Sequence, residues 1–135
     1  MTVYLDDRKI KSSATLVIVS NGPFGGPGLA LSPFAKLNDH KLTVSLYEMN
    51  KIELLQHLIG LAVCKKIQYR KIKNFTSNKV RIESKVPKTV QADSRIFGKT
   101  PVELKIYPNA LSIITGFPKE NRSAFKKRTY LDPAK

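Results

Sequence analysis

Few residues in this sequence combine the type and the spacing that chemistry needs. Four of the seven glycines crowd into Asn21-Gly22-Pro23-Phe24-Gly25-Gly26-Pro27-Gly28. Backbone N–H groups of such a run can cradle a phosphate. This one lacks the Gly-Lys-Ser/Thr ending, and no helical pattern follows it, so a structural loop is expected. The only histidines, His40 and His57, stand in no triad or metal-ligand spacing. His40 falls in a turn, and His57 is expected on a helix, facing solvent or a rim. Cys64 is the sole cysteine, which excludes an internal disulfide and a Cys/His zinc cluster. Lys65 and Lys66 beside it favour a thiolate, yet a small buried hydrophobe is the default role. Asp39 and Asp93 are isolated carboxylates in turn sequences, where bonding to the local backbone is the ordinary role.

The elements that would position these groups are mostly strands. A chain of 135 residues with 41% hydrophobic residues holds one core and usually one domain. Ala14 to Ser20 is short, apolar and β-branched, and Lys41 to Tyr47 alternates with Leu42, Val44 and Leu46 on one face. Asn50 with Glu53 has capping-box spacing and opens the one convincing helix. Its apolar positions, Leu54, Leu55, Leu58, Ile59, Ala62 and Val63, are expected to cover a β core. Short runs follow at Tyr69–Phe75, Lys79–Ser84, Lys88–Ala92, Val102–Tyr107 and Ala110–Thr115, divided by turns that include Asp93-Ser94 and Gly98-Lys99. The pattern predicts a mainly β fold, a β-sandwich with one appended α-helix, over residues 1–116. Residues 117–135 read as a basic, mobile tail.

Charge and hydropathy narrow the setting. No stretch reaches the ~18 apolar residues of a membrane span, and Met1 to Ile10 lacks the apolar core of a secretory signal. A reducing cytoplasm is the expected compartment. The net charge is +14, from 24 Lys+Arg against 10 Asp+Glu. Residues 64–88 carry nine of those cations against one acid. Such a field attracts anionic lipid or nucleic acid alike, and the absence of any RNA-binding motif makes lipid the stronger expectation.

Six segments occur in an order that carries a resemblance. They are Asn21-Gly22-Pro23-Phe24-Gly25-Gly26, Leu31 to Asp39, Val80 to Ser84, Val90-Gln91-Ala92-Asp93, Gly98-Lys99-Thr100-Pro101 and Pro108-Asn109-Ala110-Leu111. Together they resemble the C-terminal half of bacterial diacylglycerol kinases and related lipid kinases, whose catalytic domain is shared with sphingosine kinases. In that family an N-terminal domain similar to NAD kinase carries a Gly-Gly-Asp-Gly-Thr nucleotide motif, and a C-terminal β-sandwich packs against it. No Gly-Gly-Asp motif occurs here. The resemblance therefore implies the C-terminal module without its nucleotide-binding partner, inactive alone. ATP would enter only with that domain, supplied by another chain that docks on an exposed apolar strip.

Two family sites carry over by resemblance. A magnesium loop matches Lys36 to Lys41, with the Asp39 carboxylate and the Lys36 and Lys41 carbonyls as ligands, and His40 stands where the family has glycine. The family's Val-Asp-Gly-Glu turn matches Ala92-Asp93-Ser94-Arg95. Asp93 is retained there as the candidate catalytic acid/base, while Arg95 replaces the glutamate and cannot accept a proton. The alternative is a binding module, held at anionic membranes as a peripheral cytoplasmic protein by the basic segment from Cys64 to Lys88.

Overall fold

The structure, a computed structural model, describes residues 1–25, 28–63 and 71–111. Among these, the elements in order are β1 (Thr2–Leu5), β2 (Arg8–Lys11), β3 (Leu16–Ser20), β4 (Leu42–Tyr47), α1 (Lys51–Val63), β5 (Ile72–Ser77), β6 (Lys79–Glu83), β7 (Thr89–Ala92), β8 (Arg95–Lys99) and β9 (Val102–Lys105). Every strand pairing is antiparallel. One sheet runs β2-β1-β6-β9 and a second runs β3-β4-β5, while β7-β8 forms a separate ribbon. The fold is the expected β-sandwich with one helix.

Alternation along the strands builds the core. Val3 and Leu5 of β1 and Val80 and Ile82 of β6 point inward from the first sheet. They meet Val44 and Leu46 of β4, with Val17, Val19 and Phe75 packed alongside. The opposite face of β4 is buried as well, although it carries Thr43, Ser45 and Tyr47. These side chains are polar, so the material covering them must supply hydrogen bonds. The Ser32 and Ser45 hydroxyls lie 3.3 Å apart, and Ser45 donates to Asn74 Oδ1 at 2.7 Å. Tyr47 donates its hydroxyl to the Leu31 carbonyl at 2.6 Å. The loop that continues from the glycine-rich stretch is thus a lid over β4, through Leu31 and Ser32. It is closed by the Gly25–Leu29 bridge, and a Cβ on Gly25 would sit 2.7 Å from Leu31 Cδ1. Packing accounts for that glycine, as expected of a structural loop.

The helix begins as its sequence predicts. Asn50 Oδ1 accepts the Glu53 N–H at 2.8 Å, and Glu53 Oε2 accepts the Asn50 N–H at 3.0 Å. Its inward face differs from the expected one. His57 and Leu61 are the buried residues, with Leu54 and Leu58 half-buried, while Leu55, Ile59, Ala62 and Val63 are exposed. The helix is apolar around most of its circumference, so periodicity alone could not choose the face; the edge-on contact of His57 with the Tyr47 ring does, at 5.7 Å and 67°. His57 is therefore a core residue rather than a solvent-facing one.

Two strands were not foreseen. β2 is mostly exposed and polar, and β8 takes in Gly98-Lys99, which the composition marked as a turn. Cys64, Tyr69, most of the run Ala110–Thr115 and the whole 117–135 segment lie outside the described residues.

One carboxylate joins two turns at the end of the first sheet. Asp6, at φ 46°, closes the β1–β2 hairpin. Its oxygens accept the Asn78 N–H at 3.2 Å and the Lys79 N–H at 3.0 Å, in the β5–β6 turn. Burial alone would raise this carboxyl, but bonds from Asn78, Ser77 and Lys79 and the charge of Lys41 outweigh it and hold it below its ordinary value.

Two acid-sensitive groups should separate by pH. Burial lowers the His57 pKa from the ordinary 6.5, so below that value the unfolded chain binds a proton that the folded chain refuses. Stability present above pH 6.5 is then lost as the pH falls toward the lower folded value. His57→Leu should flatten the decline in Tm measured between pH 7 and pH 5. Asp6, whose folded pKa is depressed below 3.8, contributes stability that is lost only as the pH falls through that lower value. Asp6→Asn should lower the Tm by a few degrees at pH 7 and converge with the wild type in acid.

Candidate functional site

The candidate metal loop lies between the glycine-rich lid and β4. His40 has φ 56°, the left-handed conformation that the family's glycine would adopt without cost. A histidine held there costs about 1 kcal/mol. Asp39 Oδ1 accepts the Lys41 N–H at 3.0 Å, an Asx turn that draws the loop around the carboxylate. Asp39 Oδ2 accepts no hydrogen bond among the described residues. One carboxylate oxygen with two backbone carbonyls is a hard-oxygen donor set of the kind Mg²⁺ takes, with water completing the octahedron. The donors fit the ion, although the ammonium groups of Lys36 and Lys41 add positive charge nearby. No cluster of three or more His, Cys, Asp or Glu side chains occurs among the described residues.

The second candidate, Asp93, sits at the tip of the β7–β8 ribbon. Asp93 and Ser94 have φ 44° and 68°, two left-handed residues in succession, which is the geometry of a two-residue type I′ hairpin. Arg95 pairs across the strands with Ala92, and Asp93 forms no ion pair with it. Asp93 is solvent-exposed. Asp39 and Asp93 thus belong to different elements and share no hydrogen bond. An open cleft of about 520 Å³ takes in Lys41 together with Asp6, Asp7, Arg8, Phe34 and Asn74, but neither Asp39 nor Asp93.

Ile52, Leu55, Ile59 and Val63 form an exposed apolar stripe along α1 at spacings of three and four. Three of these four, Leu55, Ile59 and Val63, are among the positions the sequence pattern assigns to the core, because amphipathic spacing does not report which stripe faces inward. On the ribbon, Ile96 and Phe97 are exposed without the alternation that would have marked them as a strand. No helix among the described residues is long and apolar enough to cross a membrane.

Charge is neutralised unevenly. Lys71 pairs with Glu53, Lys73 with Glu48 at 2.7 Å, Lys79 with Glu103 at 2.9 Å and Arg81 with Glu83 at 2.6 Å. Hydrogen bonds from Lys73 and Ser12 hold the Glu48 carboxyl below its ordinary value. Four cations of the basic segment are therefore matched by acids of α1, of β6, of β9 and of the residue that follows β4.

Residues 1–115 match the family model described as the YegS C-terminal NAD kinase beta sandwich-like domain. Among solved structures, the fold is similar to a protein classed as a diacylglycerol kinase from Bacillus anthracis str. Sterne, with TM-score 0.64 and 23% identity over 78% of this chain and 35% of that one. It is also similar to a diacylglycerol kinase structure from the same organism, with TM-score 0.58 and 24% identity over 76% of this chain and 37% of that one. The chain spans just over a third of the length of these structures. No curated protein is significantly similar in sequence. With the sandwich, its left-handed acid turn and the match over residues 1–115 in hand, the chain belongs to the family of C-terminal β-sandwich domains of the lipid kinases, the domain related to that of NAD kinase.

Proposed function

We propose that this chain is the C-terminal module of a diacylglycerol-kinase-like lipid kinase and works with a nucleotide-binding domain outside these 135 residues. The match over residues 1–115 carries the reading. The sandwich, without a nucleotide motif, would supply the acceptor side of an ATP-dependent phosphorylation of a lipid hydroxyl. The exposed stripe Ile52, Leu55, Ile59 and Val63 supports a docked companion, because an uncovered apolar helix face ordinarily marks an interface.

In this reading ATP is held by the companion domain. Asp39, with the carbonyls of Lys36 and Lys41, would hold Mg²⁺, which when bound offsets negative charge near the transferring phosphoryl group. Asp93 would take the proton of the lipid hydroxyl. Arg95 offers positive charge to a phosphate and cannot share that proton transfer. Phosphoryl transfer depends on positioning both reactants, so the sandwich alone lacks half of the arrangement.

The purified chain should show no ATP-dependent phosphorylation of diacylglycerol. Supplying the nucleotide-binding domain of a related kinase should produce turnover, and Arg95→Glu should raise it by roughly 10²-fold, the lower range for a positioned acid or base. Turnover by the chain alone would sink the reading; turnover with the companion that is indifferent to Arg95→Glu would show that Asp93 suffices.

Magnesium binding can be measured separately. A ligand that binds only the folded chain raises its stability by mass action. Millimolar Mg²⁺ should lift the Tm by a few degrees, and Asp39→Ala should abolish the lift while leaving the metal-free Tm within a few degrees. A Tm indifferent to Mg²⁺ in the wild type would show that the left-handed His40 loop does not hold the ion.

A further inference from the structure

We propose that the β7–β8 ribbon is a membrane-contact hairpin, which seats Ile96 and Phe97 in an anionic phospholipid surface. Vesicle binding requires neither nucleotide nor a companion domain, so this inference stands apart from the kinase reading.

The ribbon is a two-stranded sheet hydrogen-bonded to no other strand among the described residues. Such a hairpin is marginal in water without packing on its faces. Yet its largest apolar side chains are almost wholly in solvent: Ile96 is 80% exposed and Phe97 77%, with Val86 at the base 66% exposed. The register shows how the two come together. Val90 pairs with Gly98 and Gln91 with Ile96, so Phe97 is an extra residue with no partner across the ribbon. A bulge of this kind re-aims a side chain and breaks the alternation that sends neighbours to opposite faces.

The ribbon is held out from the sandwich on a fixed base. Thr100 N–H donates to the Lys88 carbonyl at 2.8 Å, and Lys88 N–H donates to Thr100 Oγ1 at 2.9 Å. The Ser84 and Thr100 hydroxyls lie 2.6 Å apart. The apolar pair is thus presented on a braced projection.

Charge selects the partner. Arg95 and Lys99 lie on β8 with the pair, and Lys85 and Lys88 precede β7, against the single carboxylate of Asp93 in the same stretch of chain. None of the four has an ion-pair partner among the described residues, whereas Lys71, Lys73, Lys79 and Arg81 are each matched by a glutamate. Unneutralised cations around exposed Ile and Phe fit an anionic bilayer, which offers phosphate at the rim and hydrocarbon beneath it. A second copy of this chain would bring the same cations together and repel itself.

The full chain should co-sediment with vesicles containing phosphatidylglycerol, lose that binding in pure phosphatidylcholine, and weaken as salt rises. Ile96→Ser/Phe97→Ser should lower the partition coefficient at least about tenfold. Lys88→Ser/Lys99→Ser should lower it at low salt by roughly fivefold per cation. Leu55→Ser/Ile59→Ser on α1 should leave it unchanged. The sequence contains no tryptophan, so Phe97→Trp supplies a single reporter whose emission should shift to the blue on vesicle addition and be quenched by brominated lipid. That reading holds even if the serine variants fold poorly. Binding that survives both hairpin variants, or a tryptophan that stays in water, overturns the proposal. So does loss of binding in the α1 variant alone, or hairpin variants that abolish self-association or nucleic-acid retention while vesicles bind neither form.

Discussion

Both faces of β4 are buried, and the rest of the fold follows from that constraint. Val44 and Leu46 close the sandwich against β1 and β6 on one side. Thr43, Ser45 and Tyr47 would leave three hydroxyls in an apolar layer on the other. The chain meets that demand with the glycine-rich lid, whose Ser32 and Leu31 carbonyl face Ser45 and Tyr47. It adds α1, whose His57 edge meets the Tyr47 ring. Thr43 Oγ1 and His57 Nε2 have no hydrogen-bond partner among the described residues, so this layer is less well satisfied there than the sandwich core. Burial disfavours a proton on His57, so this layer is expected to weaken in acid.

The same layer sets the position of the candidate metal loop. The lid must return to β4 at Leu42, and residues 36–41 make that return through a left-handed His40 and an Asx turn at Asp39. The loop geometry belongs to the lid's anchoring whether or not an ion is bound. The acid turn at Asp93 is independent of it, since the ribbon hangs from Ser84, Lys88 and Thr100. A companion domain would have to bring these two separately anchored turns to one substrate.

How much was legible in the sequence follows from how local each signal is. The capping box, the alternation of β4 and the turn at Asp93 are decided within four to six residues, and each formed as expected. Membership of the lipid kinase family was legible through six short segments in order. Strand β2, with its Arg-Lys-Ile-Lys sequence, was not, because it is an edge whose pairing with β1 decides its state rather than any hydrophobic pattern. The buried face of α1 was illegible for the opposite reason: apolar residues fall on more than one side of the helix, so the contact with Tyr47, rather than spacing, distinguishes inside from outside. The bonds of Asp6 to Asn78 and Lys79 span more than seventy residues of chain and leave no mark in local sequence.

Charge shows the same limit and corrects the segment-by-segment reading. The excess between residues 64 and 88 looked like one continuous field. Folding partly dismantles it, because β5 and β6 lie beside strands and a helix end that deliver Glu48, Glu53 and Glu103 to their lysines. Exposed pairs of this kind add little stability, on the order of 0–1 kcal/mol each. Their larger effect is on the potential: the pairs offset positive charge on β5 and β6, while Arg95 and Lys99 of the ribbon, like Arg8, Lys9 and Lys11 of β2, have no ion-pair partner among the described residues. What distinguishes the ribbon is that its unpaired cations share two short strands with the exposed Ile96 and Phe97, so an anionic lipid surface would meet charge and apolar side chains together there. Under this arrangement the tip of the ribbon would lie at a lipid surface, which is where a carboxylate such as Asp93 would have to be to reach a lipid hydroxyl.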